Sequence, residues 1–485
     1  MTNQQQKDAG MSDEASTTAS DTTFDVIVIG AGPAGENVAG RCADGGLRVA
    51  IVERELVGGE CSYWGCMPSK VLVRAGEVIA AARRVPGATE AVTGEIDVDA
   101  VLAKRDKATG NWDDSGQVPW LDGKGITLLR GAGRLTGERE VTVSSTNGAG
   151  AATTYTATKA VVIATGTSAA IPPIPGLRES APWENRAITA VKQVPRRLLV
   201  LGGGAIGAEM AQAMRRLGSD EVTIVEGLER LVPREEPVAG DELAEAFTAE
   251  GITVITGVAM SAVRRDGTDG PVTATLADGR ELVADEILVA VGRRPATGDL
   301  GLEVVGLEPG KSVAVDDQLR ATGVPGGWLY AVGDCNGRSL LTHMGKYQAR
   351  IAGDVILGRD VSAYADHGIV PRVTFTDPQI CAVGLTEAQA REKGIDVRVV
   401  TCPLGSVAGA FTMGDGVKGT TMLVVDEARR VVVGATFTGP GVAELLHSAT
   451  VAIAGEVTMD KLWHAVPSFP TLSEVWLRLL EAYGL

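Results

Sequence analysis

Twice in this chain an apolar run ends in Gly-x-Gly-x-x-Gly and passes into a helical stretch. Residues 24–29 lead into Gly30, Gly32 and Gly35, and a second apolar run then ends at Glu53. Residues 197–201 lead into Gly202, Gly204 and Gly207, and residues 222–226 close that unit at Glu226. Each arrangement predicts a βαβ unit. The first glycine makes the tight turn, the second admits a pyrophosphate, and the third lets the helix pack on the strand. The helix N-terminus adds free N–H groups and a partial positive charge for the phosphates. Glu53 stands 18 residues after Gly35 and Glu226 stands 19 after Gly207, where a carboxylate reaches ribose hydroxyls. Two such units predict an α/β chain that holds two dinucleotides and passes electrons between them. A carboxylate at Glu226 accepts from a 2′-hydroxyl and repels a 2′-phosphate, so NADH is favoured over NADPH. Arg230 is close enough in sequence to soften that preference.

At 485 residues the chain has room for about three domains. Its 62 glycines go with only 21 prolines and no Gly-X-Y period, so they serve turns and close backbone approaches rather than a collagen repeat. Aromatics are 4%, too few for a single-stranded nucleic-acid platform, and a net charge of −16 repels phosphate backbones and anionic membrane surfaces. No run of 18 apolar residues exists to span a bilayer. Residues 1–22 are polar and read as a disordered tail, with Met11 a second possible start, rather than as a secretory signal. The expected compartment is therefore the cytoplasm, where a disulfide is catalytic more often than structural.

That makes the segment GGECSYWGCMPSK, residues 58–70, informative. Cys61 and Cys66 are five steps apart, about 7.5 Å of rise in a regular helix, beyond the usual ~4.4–6.8 Å Cα separation of a disulfide. A bridge requires bent backbone. Gly58, Gly59 and Gly65 permit the bend, and Pro68 is expected to stop a regular helix from running through it. Two buried thiols packed near a cofactor are the alternative. A metal site is disfavoured, because no second Cys or His pair lies at ligand spacing. Cys42, Cys335, Cys381 and Cys402 sit among apolar neighbours and read as small core residues.

Two glycine turns with GGECSYWGCMPSK between them resemble the flavin-dependent pyridine nucleotide–disulfide oxidoreductases, a family that includes lipoamide dehydrogenase, glutathione reductase and mercuric reductase. The resemblance runs from about residue 24 to the C-terminus. ATG at 164–166 and VGRRP at 291–295 resemble the family's domain-crossing segments. YAVGD at 330–334 resembles its second flavin fingerprint, LTHMGKYQAR at 341–350 the helix start beneath the flavin, and PRVTFTDPQICAVGLTE at 371–387 the entry to a dimer-interface domain.

The resemblance implies an architecture. An FAD-binding domain at 23–178 is completed by 306–362, an NAD(P)-binding domain occupies 179–305, and an α+β dimerisation domain runs over 363–485. It also implies roles. FAD is held by Gly30, Gly32, Gly35, Glu53, Gly59, Lys70, Thr165, Gly166, Asp334 and His343. NADH or NADPH is held by Gly202, Gly204, Gly207, Glu226, Gly292 and Arg293. Cys66 is the charge-transfer thiolate against the flavin and Cys61 the interchange thiol facing the substrate. Lys70 pairs with Glu209 near the flavin. The residues 103–125 suggest no chemistry.

At the C-terminus the chain departs from the pattern. Disulfide reductases of this family carry a histidine immediately before Pro-Thr; here Pro470, Thr471 and Glu474 match, but the histidine position is Phe469. The missing imidazole protonates the departing thiolate, help worth about 10²–10⁴-fold. The expected enzyme is thus a homodimeric NAD(P)H oxidoreductase that passes electrons through FAD and Cys61–Cys66 to a small acceptor. That acceptor is a quinone, metal ion, dye or unusual disulfide. Lipoamide dehydrogenase-type chemistry or transhydrogenation is the alternative within the class. Outside it, the alternative is a redox-sensing flavoprotein with little turnover. By the same resemblance, Phe469 and Glu474 face Cys61 across the dimer interface.

Overall fold

The structure, a computed structural model, describes residues 22–146 and 150–485. The tail expected over 1–22 lies outside the described residues except for Thr22. Strands Thr23–Ile29 and Val49–Glu53 pair in parallel, with Val26 opposite Val49 and Ile29 opposite Val52. They lie inside a seven-stranded sheet whose order is 127–130, 49–53, 23–29, 153–163, 140–144, 132–137. The seventh strand, Leu329–Ala331, comes from far along the chain and pairs in parallel with 161–163. Continuous Val and Ile runs suit strands covered on both faces, and Val49–Glu53 is buried throughout.

The second glycine unit builds a four-stranded parallel sheet in the order 252–256, 221–226, 197–201, 286–289. An antiparallel three-stranded sheet, 260–284, lies beside it in sequence. The chain enters and leaves this region through two short strands, Thr167–Ala169 and Arg293–Pro295, which pair with each other. The C-terminal part is a five-stranded antiparallel sheet in the order 372–374, 379–384, 431–439, 420–426, 397–403. Helices Leu446–Ala454 and Val475–Tyr483 supply core residues against it, including Ala449 and Leu479. The fold is α/β, with two Rossmann-like units and a C-terminal α+β part. Among the described residues no helix is long and apolar enough to cross a membrane.

The two glycine turns are built alike. Gly30 has φ +103° and Gly202 φ +107°, and a Cβ on either would come within 2.6 Å of a carbonyl oxygen, of Ala164 and Ala290 respectively. A Cβ on Gly35 or Gly207 would overlap the carbonyl of the first glycine of its own turn. The helices Pro33–Asp44 and Ala205–Arg216 can therefore start directly against their strands.

No regular helix runs through the bend, and Pro68 stands where a helix extended back through it would have a proline in its interior. The helix Cys66–Arg83 begins ahead of it, and Pro68 sits in the first turn. There its missing N–H would have had no helical acceptor, so the helix continues. The bend between the two cysteines lies at Trp64 and Gly65, between the short helix Gly59–Tyr63 and the long one.

Candidate redox site

A cavity of about 600 Å³ runs from the first glycine turn to the two cysteines. Its lining includes Gly30, Gly32, Gly59, Glu53, Cys61, Cys66, Lys70, Thr165, Gly166, Arg293 and Asp334. From the second unit, Ala205, Ile206, Glu209 and Met210 reach its wall. Gly202, Gly204, Gly207, Glu226 and Gly292 do not line it; nor do His343, Phe469 and Glu474. His343 is exposed, with Nε2 2.7 Å from the Pro371 carbonyl oxygen. Phe469 is 76% exposed, on the C-terminal part of the chain.

The acids that end the two βαβ units perform the same task. Glu53 accepts from the Ala31 N–H at 2.8 Å and the Glu55 N–H at 2.7 Å. Glu226 accepts from the Gly203 N–H at 2.7 Å and the Leu228 N–H at 2.9 Å. Each carboxylate thus ties its glycine turn to the loop after its strand, and each oxygen keeps a further lone pair for a ligand hydroxyl. Burial raises the Glu53 carboxyl above its ordinary value, against the two backbone hydrogen bonds. Arg230 turns toward the Pro233 carbonyl, 3.4 Å from Nη2.

Cys61 and Cys66 are both free thiols. Cys66 opens the long helix, where the helix dipole favours a thiolate, and its Sγ is 3.3 Å from Thr342 Oγ1. Its thiol is lowered to about 6: a hydrogen bond from Cys61 dominates, Thr342 and the Lys70 charge assist, and burial opposes. Cys61 is pushed up by its bond to Cys66 and by burial. The pair therefore divides into one thiolate and one thiol at neutral pH.

One turn beyond Cys66, Lys70 Nζ donates to Glu209 Oε2 at 2.7 Å. The Glu209 side chain is 6% exposed. Its other oxygen accepts from the Phe375 N–H at 2.9 Å, and the Phe375 ring lies 4.7 Å from the ammonium. Nothing in the local sequence around Phe375 signals this contact.

The turn that carries Cys61 is gripped from two sides. Arg293 pairs with Glu60, donates through Nε to Thr167 Oγ1 at 2.6 Å and through Nη1 to Asn185 Oδ1 at 3.2 Å. Thr167 in turn donates to Asp334 Oδ2 at 2.8 Å, and burial raises the Asp334 carboxyl. Arg186 holds Glu60 and Glu55 and stacks on Trp64, 4.2 Å from the ring centre. On the other side stands the stretch 103–125. Trp112 Nε1 donates to the Tyr63 carbonyl at 3.2 Å, and Gln117 donates to the Tyr63 hydroxyl at 3.3 Å. The fully buried Arg105 donates to the carbonyls of Thr189 and Val191. No residue of this stretch lines the cavity; it braces the turn that carries Cys61.

Thr165 Oγ1 is buried in the cavity wall with no hydrogen-bond partner. An unpaired hydroxyl there, in a cavity lined also by a turn with room for a pyrophosphate and by a thiol pair, fits FAD.

Known proteins are similar to this chain over nearly its whole length. The family profile described as pyridine nucleotide-disulphide oxidoreductase matches residues 24–349, and the profile of that family's dimerisation domain matches 370–479. A mercuric reductase of Staphylococcus aureus is 32% identical over 94% of this chain and 81% of its own length. A dihydrolipoyl dehydrogenase of Thermus scotoductus is 36% identical over 95% and 97%. Among solved structures, the Cu(II) complex of the HOCl-induced flavoprotein disulfide reductase RclA from Escherichia coli superposes with a TM-score of 0.82 at 25% identity, covering 95% of this chain and 99% of that one. LpdA from Mycobacterium tuberculosis gives 0.83 at 26%, covering 95% and 100%.

Proposed function

Because this chain belongs to the pyridine nucleotide-disulphide oxidoreductase family, and is thus an FAD-dependent NAD(P)H oxidoreductase, we propose that it reduces a small acceptor that needs no proton from an imidazole. The carrying observation is the company the thiols keep. Within one chain Cys66 has Cys61, Thr342 and Lys70 as partners, and the position before Pro470 and Thr471, where disulfide reductases of the family carry a histidine, is Phe469.

FAD in the cavity would supply two-electron chemistry between a nicotinamide and sulfur. Gly30, Gly32, Gly35, Glu53, Gly59, Thr165, Gly166 and Asp334 would hold it. Gly202, Gly204, Gly207, Glu226, Gly292 and Arg293 would hold the nicotinamide nucleotide. Glu209 fixes Lys70 as a cation in the cavity wall, where it stabilises negative charge, including that of the Cys66 thiolate. Cys61 retains its proton until it meets the acceptor.

Soft metal ions suit such a pair. The two sulfurs give up two electrons and join as a disulfide, while one Hg(II) becomes Hg(0) or two Cu(II) become two Cu(I). NADH then restores the dithiol, so each cycle converts NADH to NAD⁺ and releases one proton. Support comes from the relatives named mercuric reductase and from RclA in its Cu(II) complex. NADH is the preferred donor in this reading: Glu226 is tied to its turn, and Arg230 donates to the Pro233 carbonyl. The dimerisation domain supports a homodimer in which Phe469 and Glu474 stand opposite Cys61 of the partner subunit.

The test is an acceptor screen with FAD-loaded protein and NADH. Sustained NADH oxidation with Cu(II) or Hg(II), and lipoamide or glutathione disulfide near background, is the expected result. Lipoamide turning over as fast as the metal ions would overturn it, and turnover with quinones alone would move the acceptor to that class. A titratable dithiol with no turnover at all would make the protein a redox sensor.

A further inference from the structure

Phe375 lies in the stretch matched by the dimerisation domain, whereas Lys70 and Glu209 lie in the stretch matched by the nucleotide-binding part. Yet Phe375 touches both members of that pair. Its backbone N–H donates to Glu209 Oε1 at 2.9 Å, and its ring stands 4.7 Å from the Lys70 ammonium, inside the ~6 Å reach of a cation–π contact. The ammonium is thereby held between a carboxylate at 2.7 Å and an aromatic face.

The segment that carries the ring is itself fastened. Along one face of the helix Ala205–Arg216, Glu209, Gln212 and Arg216 grip residues 375–377 in turn. Gln212 Oε1 accepts from the Asp377 N–H and its Nε2 donates to the Asp377 carbonyl, both at 2.8 Å. Arg216 reaches Asp377 Oδ2 at 3.1 Å, and Arg84, just past the redox helix, reaches the same oxygen at 3.0 Å. The ring therefore has a defined place relative to both helices that flank Lys70.

The geometry assigns Phe375 as a positioning residue: its ring holds the Lys70 ammonium in register with Cys66. This assignment rests on the reading of Lys70 as a charge that acts on the Cys66 thiolate. A flexible lysine stem with a single carboxylate partner could swing about that partner. The second contact removes the freedom, and a fixed charge stabilises a thiolate better than a wandering one. The groups facing Cys66 are Cys61 from the short helix, Thr342 from the helix Thr342–Ile356 and Lys70 from its own, with Lys346 acting on Cys61.

The experiment follows alkylation of Cys66 against pH in dithiol-reduced, FAD-loaded protein, resolved by peptide mass. Three variants are compared with the parent: Phe375→Leu, Phe375→Tyr and Lys70→Met. All three keep the backbone N–H of residue 375, so the Glu209 contact survives. Phe375→Leu is expected to slow Cys66 alkylation about threefold on the acid limb, half a unit on the pH axis. Phe375→Tyr should track the parent, and Lys70→Met should shift the curve further than Phe375→Leu. If Lys70→Met moves the curve and Phe375→Leu does not, the assignment of Phe375 falls alone. Equal shifts in the Leu and Tyr variants would mean packing rather than the ring face, and would also overturn it. If no variant moves the curve, the ammonium does not act on Cys66 and both readings fall.

Discussion

Arg293 and Glu60 form an ion pair across 233 residues of sequence, joining the strand that leaves the second nucleotide unit to the residue before Cys61. The Arg293 side chain is 15% exposed, so a guanidinium deprived of its carboxylate would stay largely out of water. Glu60→Ala should cost about 2 kcal/mol, the range for losing a hydrogen bond to a buried charge. Glu60→Gln, which keeps an acceptor, should cost less. Urea unfolding of the FAD-loaded protein, read by tryptophan fluorescence, measures both.

The two thiols should fail differently. With Cys66 lowered to about 6 and Cys61 raised, alkylation of the reduced pair at pH 7 should fall first on Cys66. Because the folded value lies below that of an ordinary thiol, the thiolate is fully present above about pH 9 in either state. Its stabilising effect on the reduced fold is full only above that pH, declines as pH falls toward neutrality, and is gone once pH has fallen through about 6. Unfolding of the reduced protein at pH 5 and pH 8 should show the loss, and Cys66→Ser should remove the thiol's share of the difference.

Phe469→His addresses the departure at the C-terminus. If an absent proton donor is what excludes disulfide substrates, the variant should raise lipoamide reduction by about 10²-fold, the lower end for general acid help. NADH-dependent reduction of Cu(II) should stay within twofold, roughly, of the parent, since that step releases protons rather than needing one. Steady-state assays with both acceptors decide it.

In the proposed reading, the choice of nicotinamide nucleotide turns on charge at Glu226. Glu226→Gln retains a carbonyl oxygen for one of the two backbone amides, and removes the anion that repels a 2′-phosphate. The ratio of kcat/KM for NADH to that for NADPH should fall about tenfold. An unchanged ratio would locate the preference elsewhere.

What was legible in the sequence was local. The glycine turns and their closing acids sit at fixed spacings within single βαβ units, and short-range sterics dictate both. The alternative of two thiols near a cofactor also came from one short segment. What escaped was contact between distant segments. Arg105 reaching the carbonyls of Thr189 and Val191, and Phe375 reaching Lys70, leave no trace in any local periodicity. Pro68 is legible as a break but not as the place of the helix start. A proline in a helix interior breaks it and one in the first turn does not, and only the start of the helix tells them apart.

The bonds that Glu53 and Glu226 make to backbone amides have a consequence for assembly. Both loops close on contacts supplied by the polypeptide alone, so their shape does not wait for a nucleotide to arrive. Protein stripped of its prosthetic group should keep these receptacles standing and reload without refolding them, and little of the affinity need be spent on ordering.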